Sequence, residues 1–260
     1  MPARNAMPLA INCDMGESFG LYKMGDDEGM MPYITIANVA CGFHASDPTV
    51  MARTVQLAKR HDVKVGAHPS LPDLQGFGRR EMRLQHEELV NCIIYQVGAL
   101  KGFLDREGMQ LFHVKPHGSL YGMAARSAEV AKAIAQAARV FDVPVLGMAG
   151  TMHERVYTAE GLDFISEYYA DLEYADDGTL IITREHAAVD PKQAAEHARR
   201  AINSGTVDSI NGKEVRVRAD CICVHSDTPN AVDVARAVKT VVDEYLAQAG
   251  DHRARPKTGA

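Results

Sequence analysis

The sequence predicts an α/β domain built from repeated strand–helix units, and three observations predict it. Short, near-continuous apolar runs recur along the 260 residues, as expected of parallel strands buried on both faces. Helical patterns follow most of these runs, several of them opened by an N-cap residue and a proline. Polar residues and glycines gather just after the apolar runs, at the carboxyl ends of the strands, where parallel α/β folds bind their ligands.

The strand segments are LAINCD, YITIANVAC, VKVGAH, LFHVKPH, VPVLGMA, DFISEYY and DCICVHS, seven in all. A further short pair, around TLIIT and EVRVRA, is expected outside the main sheet. Asp47–Pro48, Asp190–Pro191 and Thr228–Pro229 each place a capping side chain before a proline, whose fixed φ suits the first helical position. VMARTVQLAKR, KQAAEHARRAI and NAVDVARAVKTVVDEYL follow them with apolar residues at helical spacing. LQHEELVNCIIYQVGALKGFLDREG reads as a longer helix closed by Gly108, and Ser127 as the cap of AEVAKAIAQAARVF. Strand then helix, repeated, means right-handed βαβ units. A closed barrel and an open doubly wound sheet both fit; length and strand count favour the barrel. One domain spans residues 1–250, and residues 251–260, polar and without periodicity, are expected to be a disordered tail.

Composition narrows the function classes. Apolar residues make up 46% of the chain and charged residues 24%, enough for a large core under an ordinary polar surface. The net charge of -6 and the lack of a Lys/Arg cluster argue against a nucleic-acid surface. No run approaches the roughly 20 apolar residues of a membrane span, and the amino terminus has no apolar signal core. Five cysteines, an odd number without a C-x-x-C pair, suit a reduced, cytoplasmic protein without a cysteine-rich zinc site.

The chemistry is concentrated in the loops. In NCDMGE, Asn12 and Asp14 are two apart on a strand and face one side; Asp14 is a candidate base or ligand, or a turn cap. In ANVACGFHASDP, Asn38 interrupts an apolar strand, which is costly unless it is hydrogen-bonded. His44 follows the flexible Gly42, and Asp47 has its capping task. Cys41 is a nucleophile candidate set against the commoner buried cysteine. In GAHPSLPD, His68 ends a strand before Pro69. The GFGRR stretch beyond it offers Arg79 to a substrate carboxylate. In HVKPHGSLY, His113, Lys115 and His117 share a face if the strand stays extended. The two histidines would then lie roughly 13 Å apart, too far to bind one ion. A lysine on an inward strand face must be paired, which marks Lys115 as functional. Glu167 and Asp171 are candidates to face the pocket; His225 and Asp227 are two apart and candidates for an orienting pair, with capping of the helix beginning at Pro229 as the other reading of Asp227. The chain contains no G-x-x-x-x-G-K-[ST], G-x-G-x-x-G or G-x-S-x-G motif.

Together NCDMGE, ANVACGFHASDP, GAHPSLPD…GFGRR, HVKPHGSLY and ADCICVHSDTP resemble the LamB/YcsF family over roughly residues 8 to 248. The resemblance implies a seven-stranded β/α barrel related to glycoside hydrolases and polysaccharide deacetylases. It also implies the role of the A subunit of an ATP-dependent 5-oxoprolinase. That enzyme opens the lactam of 5-oxoproline to L-glutamate, with ATP as co-substrate and subunits B and C as partners. For such chemistry we expect Asp14 to act as the base, with His44 and His68 shaping a water site. Lys115 and His117 are expected to stabilise the oxyanion or phosphate, and Asn12, Asn38, Arg79, Glu167 and His225 to contact the substrate. The chain departs from the family pattern at its start and after strand six, where an Asp-Arg pair is usual and Asp171-Leu172 stands here. These departures leave the choice of lactam open.

Two alternatives accompany this reading. One is a metal-dependent amide hydrolase of the deacetylase kind, with Asp14, His44 and His68 as ligands. The other is a substrate-binding component whose partners carry all the catalysis, consistent with the missing nucleotide motif.

Overall fold

The computed structural model describes residues 8–181 and 187–254. The chain begins with β1 (Ala10–Met15), α1 (Asp27–Met30) and a 3-10 turn (Met31–Tyr33). It continues through β2 (Ile36–Ala40), α2 (Pro48–Arg60), β3 (Lys64–His68), α3 (His86–Glu107) and β4 (Leu111–Val114). Next come α4 (Gly118–Arg126), α5 (Ala128–Arg139), β5 (Val145–Gly147), α6 (Met152–Ala159) and β6 (Phe164–Tyr169). Then follow β7 (Glu173–Tyr174), β8 (Leu180–Ile181), α7 (Pro191–Ser204), β9 (Thr206–Asp208) and β10 (Glu214–Arg216). The last elements are β11 (Cys221–Val224) and α8 (Ala231–Ala254).

Seven parallel strands close a barrel in the order β1-β11-β6-β5-β4-β3-β2. These are the seven segments read from the sequence. TLIIT and EVRVRA do lie outside the barrel, but they do not pair with each other. β8 pairs with β7 and β10 with β9, each antiparallel; residues 182 and 183 of TLIIT lie outside the described residues. The tail beyond residue 254 also lies outside them, and α8 continues past residue 250 to Ala254.

The helix starts follow their capping chemistry in two of the three Pro-marked cases. Asp47 accepts from the N–H groups of Thr49 and Val50, and Asp190 from Lys192. The third expectation fails. Thr228 and Pro229 belong to a turn in which the Ala231 N–H bonds the Thr228 carbonyl, so α8 starts two residues late. Ser127 caps α5, and Gly108 ends α3 in the left-handed conformation.

Alternation along the strands sorts the core into two parts. Outward residues such as Ile11, Cys13, Met15, Ala37 and Val39 pack under the helices with Val55, Ile93, Leu100 and Ile134. Inside the barrel, a small apolar cluster of Ala10, Ile36, Leu146 and Cys221 is backed by Phe112 and Ile165. Ala10, Ile36 and Cys221 are each the first residue of their strand, so this plug closes the amino-terminal end. The inward positions above it are polar. Asn12 and Asp14 stand beside Asn38, with Asp14 opposite Asn38 in the β1–β2 register. Gly66 on β3 is required by close approach: a side chain there would run into the His113 imidazole.

Candidate active site

The barrel's polar interior is one connected network. His113 Nε2 donates to Asn38 Oδ1 at 2.7 Å, and Asn38 Nδ2 donates to Asn12 Oδ1 and Asp14 Oδ1, both at 2.8 Å. Lys115 Nζ donates to Asn12 Oδ1 (3.2 Å), Asp14 Oδ1 (3.1 Å) and Cys223 Sγ (3.2 Å). It also lies 2.9 Å from Glu167 Oε2, an ion contact without hydrogen-bond alignment. This ammonium is 2% exposed and sits between two carboxylates, which is how a buried charge becomes tolerable. Burial disfavours its charged form, but Asp14, Cys223 and Glu167 outweigh burial and raise its pKa well above the ordinary lysine value. Burial likewise opposes ionisation of Asp14, and the charges of His68 and Lys115 overcome it and hold the carboxyl well below its usual range.

Three histidines and a glutamate lie beside this network. The His44 and His117 rings stack at 3.7 Å between centroids, and His68 meets His117 edge-on. Glu17 Oε1 is 3.1 Å from His44 Nε2 and 3.5 Å from His117 Nδ1. His68 Nε2 lies 3.2 Å from Asp14 Oδ2. Burial, then the neighbouring imidazoles, pushes His44 and His117 well below the usual histidine pKa. Burial, then the charges of Asp14 and Asp227, pushes Glu17 up. Two residues with unusual backbone shape this corner. Phe77 (φ 54°) and Gly78 (φ 64°) turn left-handed, aim the Phe77 carbonyl at His117 Nε2, and let the Gly78 carbonyl accept from the Ser119 N–H at the start of α4.

Above the floor is a small open cleft lined by Asp14, His68, Arg79, Lys115, His117, Tyr121, Tyr169, Leu172 and His225, among others. Arg79 is paired with Asp227 at 2.8 Å and lies 5.0 Å from the Phe77 ring centroid. His225 is held by Asp171, whose carboxylate takes both its backbone N–H (2.7 Å) and its ring Nδ1 (3.1 Å). Burial opposes protonation of His225, but the Asp171 charge raises its pKa to about 9.

Six of the ten residues expected to have a catalytic or substrate-contacting role therefore meet at the cleft: Asp14, His68, Lys115, His117, Arg79 and His225. His44 lies behind His117. Asn12, Asn38 and Glu167 do not line the cleft; they are buried and hold Asp14 and Lys115 from below. Three expectations are corrected. His113, Lys115 and His117 do not share one extended face, because β4 ends at Val114 and His117 is the N-cap residue of α4. His113 thus points into the barrel, while His117 joins the other two histidines. His225 pairs with Asp171 rather than Asp227. Cys41 follows the commoner of its two readings: it is buried, and burial pushes its thiol up to about 12. The carboxylate grouped with His44 and His68 as a candidate ligand is Glu17 rather than Asp14, and His117 joins them.

Glu17, Tyr121 and Tyr169 are site residues that the sequence does not single out. Glu17 follows Gly16, whose left-handed φ of 69° turns the chain at the strand end; that glycine is the available signal. Tyr121 sits one helical turn after His117, a spacing that puts both on one side of α4.

The motifs that build this corner are those of a known family, and one match decides the matter. The LamB/YcsF family model matches residues 9–254. The chain belongs to the LamB/YcsF family. Among its LamB/YcsF relatives, "Lactam utilization protein lamB" of Emericella nidulans is 48% identical over 239 residues, covering 90% of this chain and 94% of that protein. A Symbiobacterium thermophilum protein named as the A subunit of 5-oxoprolinase is also 48% identical, covering 90% and 92%. The crystal structure of the lactam utilization protein from Thermus thermophilus superposes with a TM-score of 0.85 at 44% identity, covering 94% and 98%. Among the described residues, no helix is long and apolar enough to cross a membrane.

Proposed function

We propose that this chain is the A subunit of an ATP-dependent 5-oxoprolinase, opening the lactam of 5-oxo-L-proline to L-glutamate together with separate subunits B and C. The observation that carries this reading is the buried Lys115 ammonium, fixed between Asp14 and Glu167 at the floor of a small cleft whose wall carries Arg79. A five-membered lactam is an unstrained amide that water attacks slowly. Phosphoryl transfer from ATP to its carbonyl oxygen, releasing ADP, activates the ring carbon; one water adds there as the C–N bond breaks and the ring nitrogen takes a proton, and a second water cleaves the resulting acyl phosphate to carboxylate and phosphate. Such a path needs cations where negative charge develops and a group that accepts the proton of water.

Lys115, with His117 at its side, faces the developing charge. Asp14 is held too far below neutrality to be a strong base by itself. Its 3.2 Å contact with His68 Nε2 supports a paired role, in which the proton of water settles between the two. Arg79 takes the substrate carboxylate in exchange for part of its contact with Asp227. The absence of a nucleotide motif from the sequence supports placing ATP handling on a partner protein.

The test is 5-oxoproline-dependent ATP hydrolysis and glutamate release, measured with this chain alone, with the partners alone, and with all components. Turnover should need all components. An Arg79→Lys variant should raise KM for 5-oxoproline about tenfold or more, since a point charge replaces a two-pronged donor. An unchanged KM would remove Arg79 from the substrate site.

A further inference from the structure

We propose that Glu17, His44, His68 and His117 form a divalent transition-metal site, of the kind zinc occupies, on the wall of the cleft. The inference stands on the geometry of the histidines; an ion held by His68 Nε2 would take the place of the proton that this nitrogen otherwise shares with Asp14, 3.2 Å away. One donor atom from each of the four side chains falls within a 4.8 Å group, and all four residues are buried.

The hydrogen bonds fix where the ring protons lie. His68 Nδ1 is 2.8 Å from the Lys115 carbonyl, and His117 Nε2 is 2.8 Å from the Phe77 carbonyl. A carbonyl oxygen only accepts, so each of these nitrogens carries its ring's proton. The other nitrogen of each neutral ring then presents a lone pair. Those two nitrogens, His68 Nε2 and His117 Nδ1, face each other at 3.0 Å. Two lone pairs at that distance repel unless something positive lies between them. Glu17 Oε1, 3.5 Å from His117 Nδ1 and 3.1 Å from His44 Nε2, adds negative charge at the same point.

Metal geometry accounts for these separations. Bonds of about 2.0–2.1 Å in a tetrahedron put ligand atoms about 3.3 Å apart. Histidines whose second nitrogen donates to a backbone carbonyl are the usual outer support of a metal centre, because the carbonyl fixes both tautomer and ring direction. Three imidazoles and one carboxylate suit zinc, or cobalt in its place, better than magnesium or calcium, which prefer oxygen. His68 and His117 also line the cleft, so an ion there would be open to a water or substrate oxygen.

The test is titration of the chelator-treated full chain with ZnCl₂ by calorimetry, and with CoCl₂ by visible absorption. We expect one ion per chain, a tetrahedral cobalt spectrum, and a rise in Tm on loading. His68→Gln, His117→Gln and Glu17→Gln should each weaken zinc binding at least tenfold and abolish the cobalt spectrum. His61→Gln, at an exposed position, should change neither. Variants are read only after their circular dichroism matches the parent; Glu17→Gln, nearly isosteric, keeps the test open if a histidine variant misfolds. A chain that takes up no zinc beyond the level of the His68→Gln/His117→Gln double variant overturns the proposal, and the two rings then share a proton instead. Equal loss in His61→Gln also overturns it.

Discussion

Lys115 carries the clearest consequences at the level of single residues. Its ammonium balances Asp14 and Glu167, and removing one partner of a buried pair strands the others, typically at about 3–5 kcal/mol. Lys115→Met should therefore lose stability of that order in urea unfolding as well as activity. Adding Glu167→Gln should recover part of the stability but none of the turnover. An unchanged denaturation midpoint in Lys115→Met would mean that the ion cage is not formed. His225 gives a pH signature. Its pKa of about 9 in the folded chain exceeds the ordinary value of about 6.5, so the folded state binds the proton more tightly than the unfolded one. The resulting stability is fully present below about pH 6.5 and is lost as pH rises through about 9. Asp171→Asn should remove that loss from the stability–pH curve. A curve of unchanged shape would contradict the pairing. Cleft contacts of this kind are only partly legible in a sequence. The polar character of Asp14, Lys115 and His68 stands out against apolar strands. Their partners are distant, however: Lys115 lies 101 residues from Asp14, and His68 lies 49 from His117. No local pattern encodes such pairings.

Among the elements, the strands and most helices could be read because their causes are local: apolar runs, aspartate caps and prolines. The element that misled was β4. It reads as an extended run through His117, yet the strand stops at Val114 and the chain turns through Pro116 into α4. Tertiary hydrogen bonds make that turn. The Lys115 N–H goes to the Ala67 carbonyl and the His117 N–H to the Pro69 carbonyl, so the β3 exit loop sets where β4 ends. α8 shows the same limit, since Thr228–Pro229 has the composition of a helix start and forms a turn instead. The packing of β3 against β4 makes a further prediction. Gly66→Ala would push a methyl into the His113 ring, and overpacking of this kind costs about 1–3 kcal/mol. Thermal unfolding should register it as a lower Tm; an unaltered Tm would show that the interior is looser than described.

For the molecule as a whole, the barrel sets the division of labour. An apolar plug closes the amino-terminal end, a layer of Asn12, Asn38 and His113 holds the ions above it, and the loops supply the cleft. Ligands of such barrels bind at this carboxyl end, and all six cleft-lining candidates from the sequence come from strand ends or the loops beyond them. Leu172 also lines the cleft, at the position where the family resemblance leads us to expect an arginine. In the proposed function, the lactam is opened in the cleft around Lys115, in a complex with subunits B and C. The most direct measurement is 5-oxoproline-dependent ATP hydrolysis by the reconstituted complex carrying Lys115→Met, at a temperature where the variant remains folded. Turnover should fall at least 100-fold while the complex still assembles. Full turnover in that variant would contradict the account and leave the chain a binding or scaffolding component.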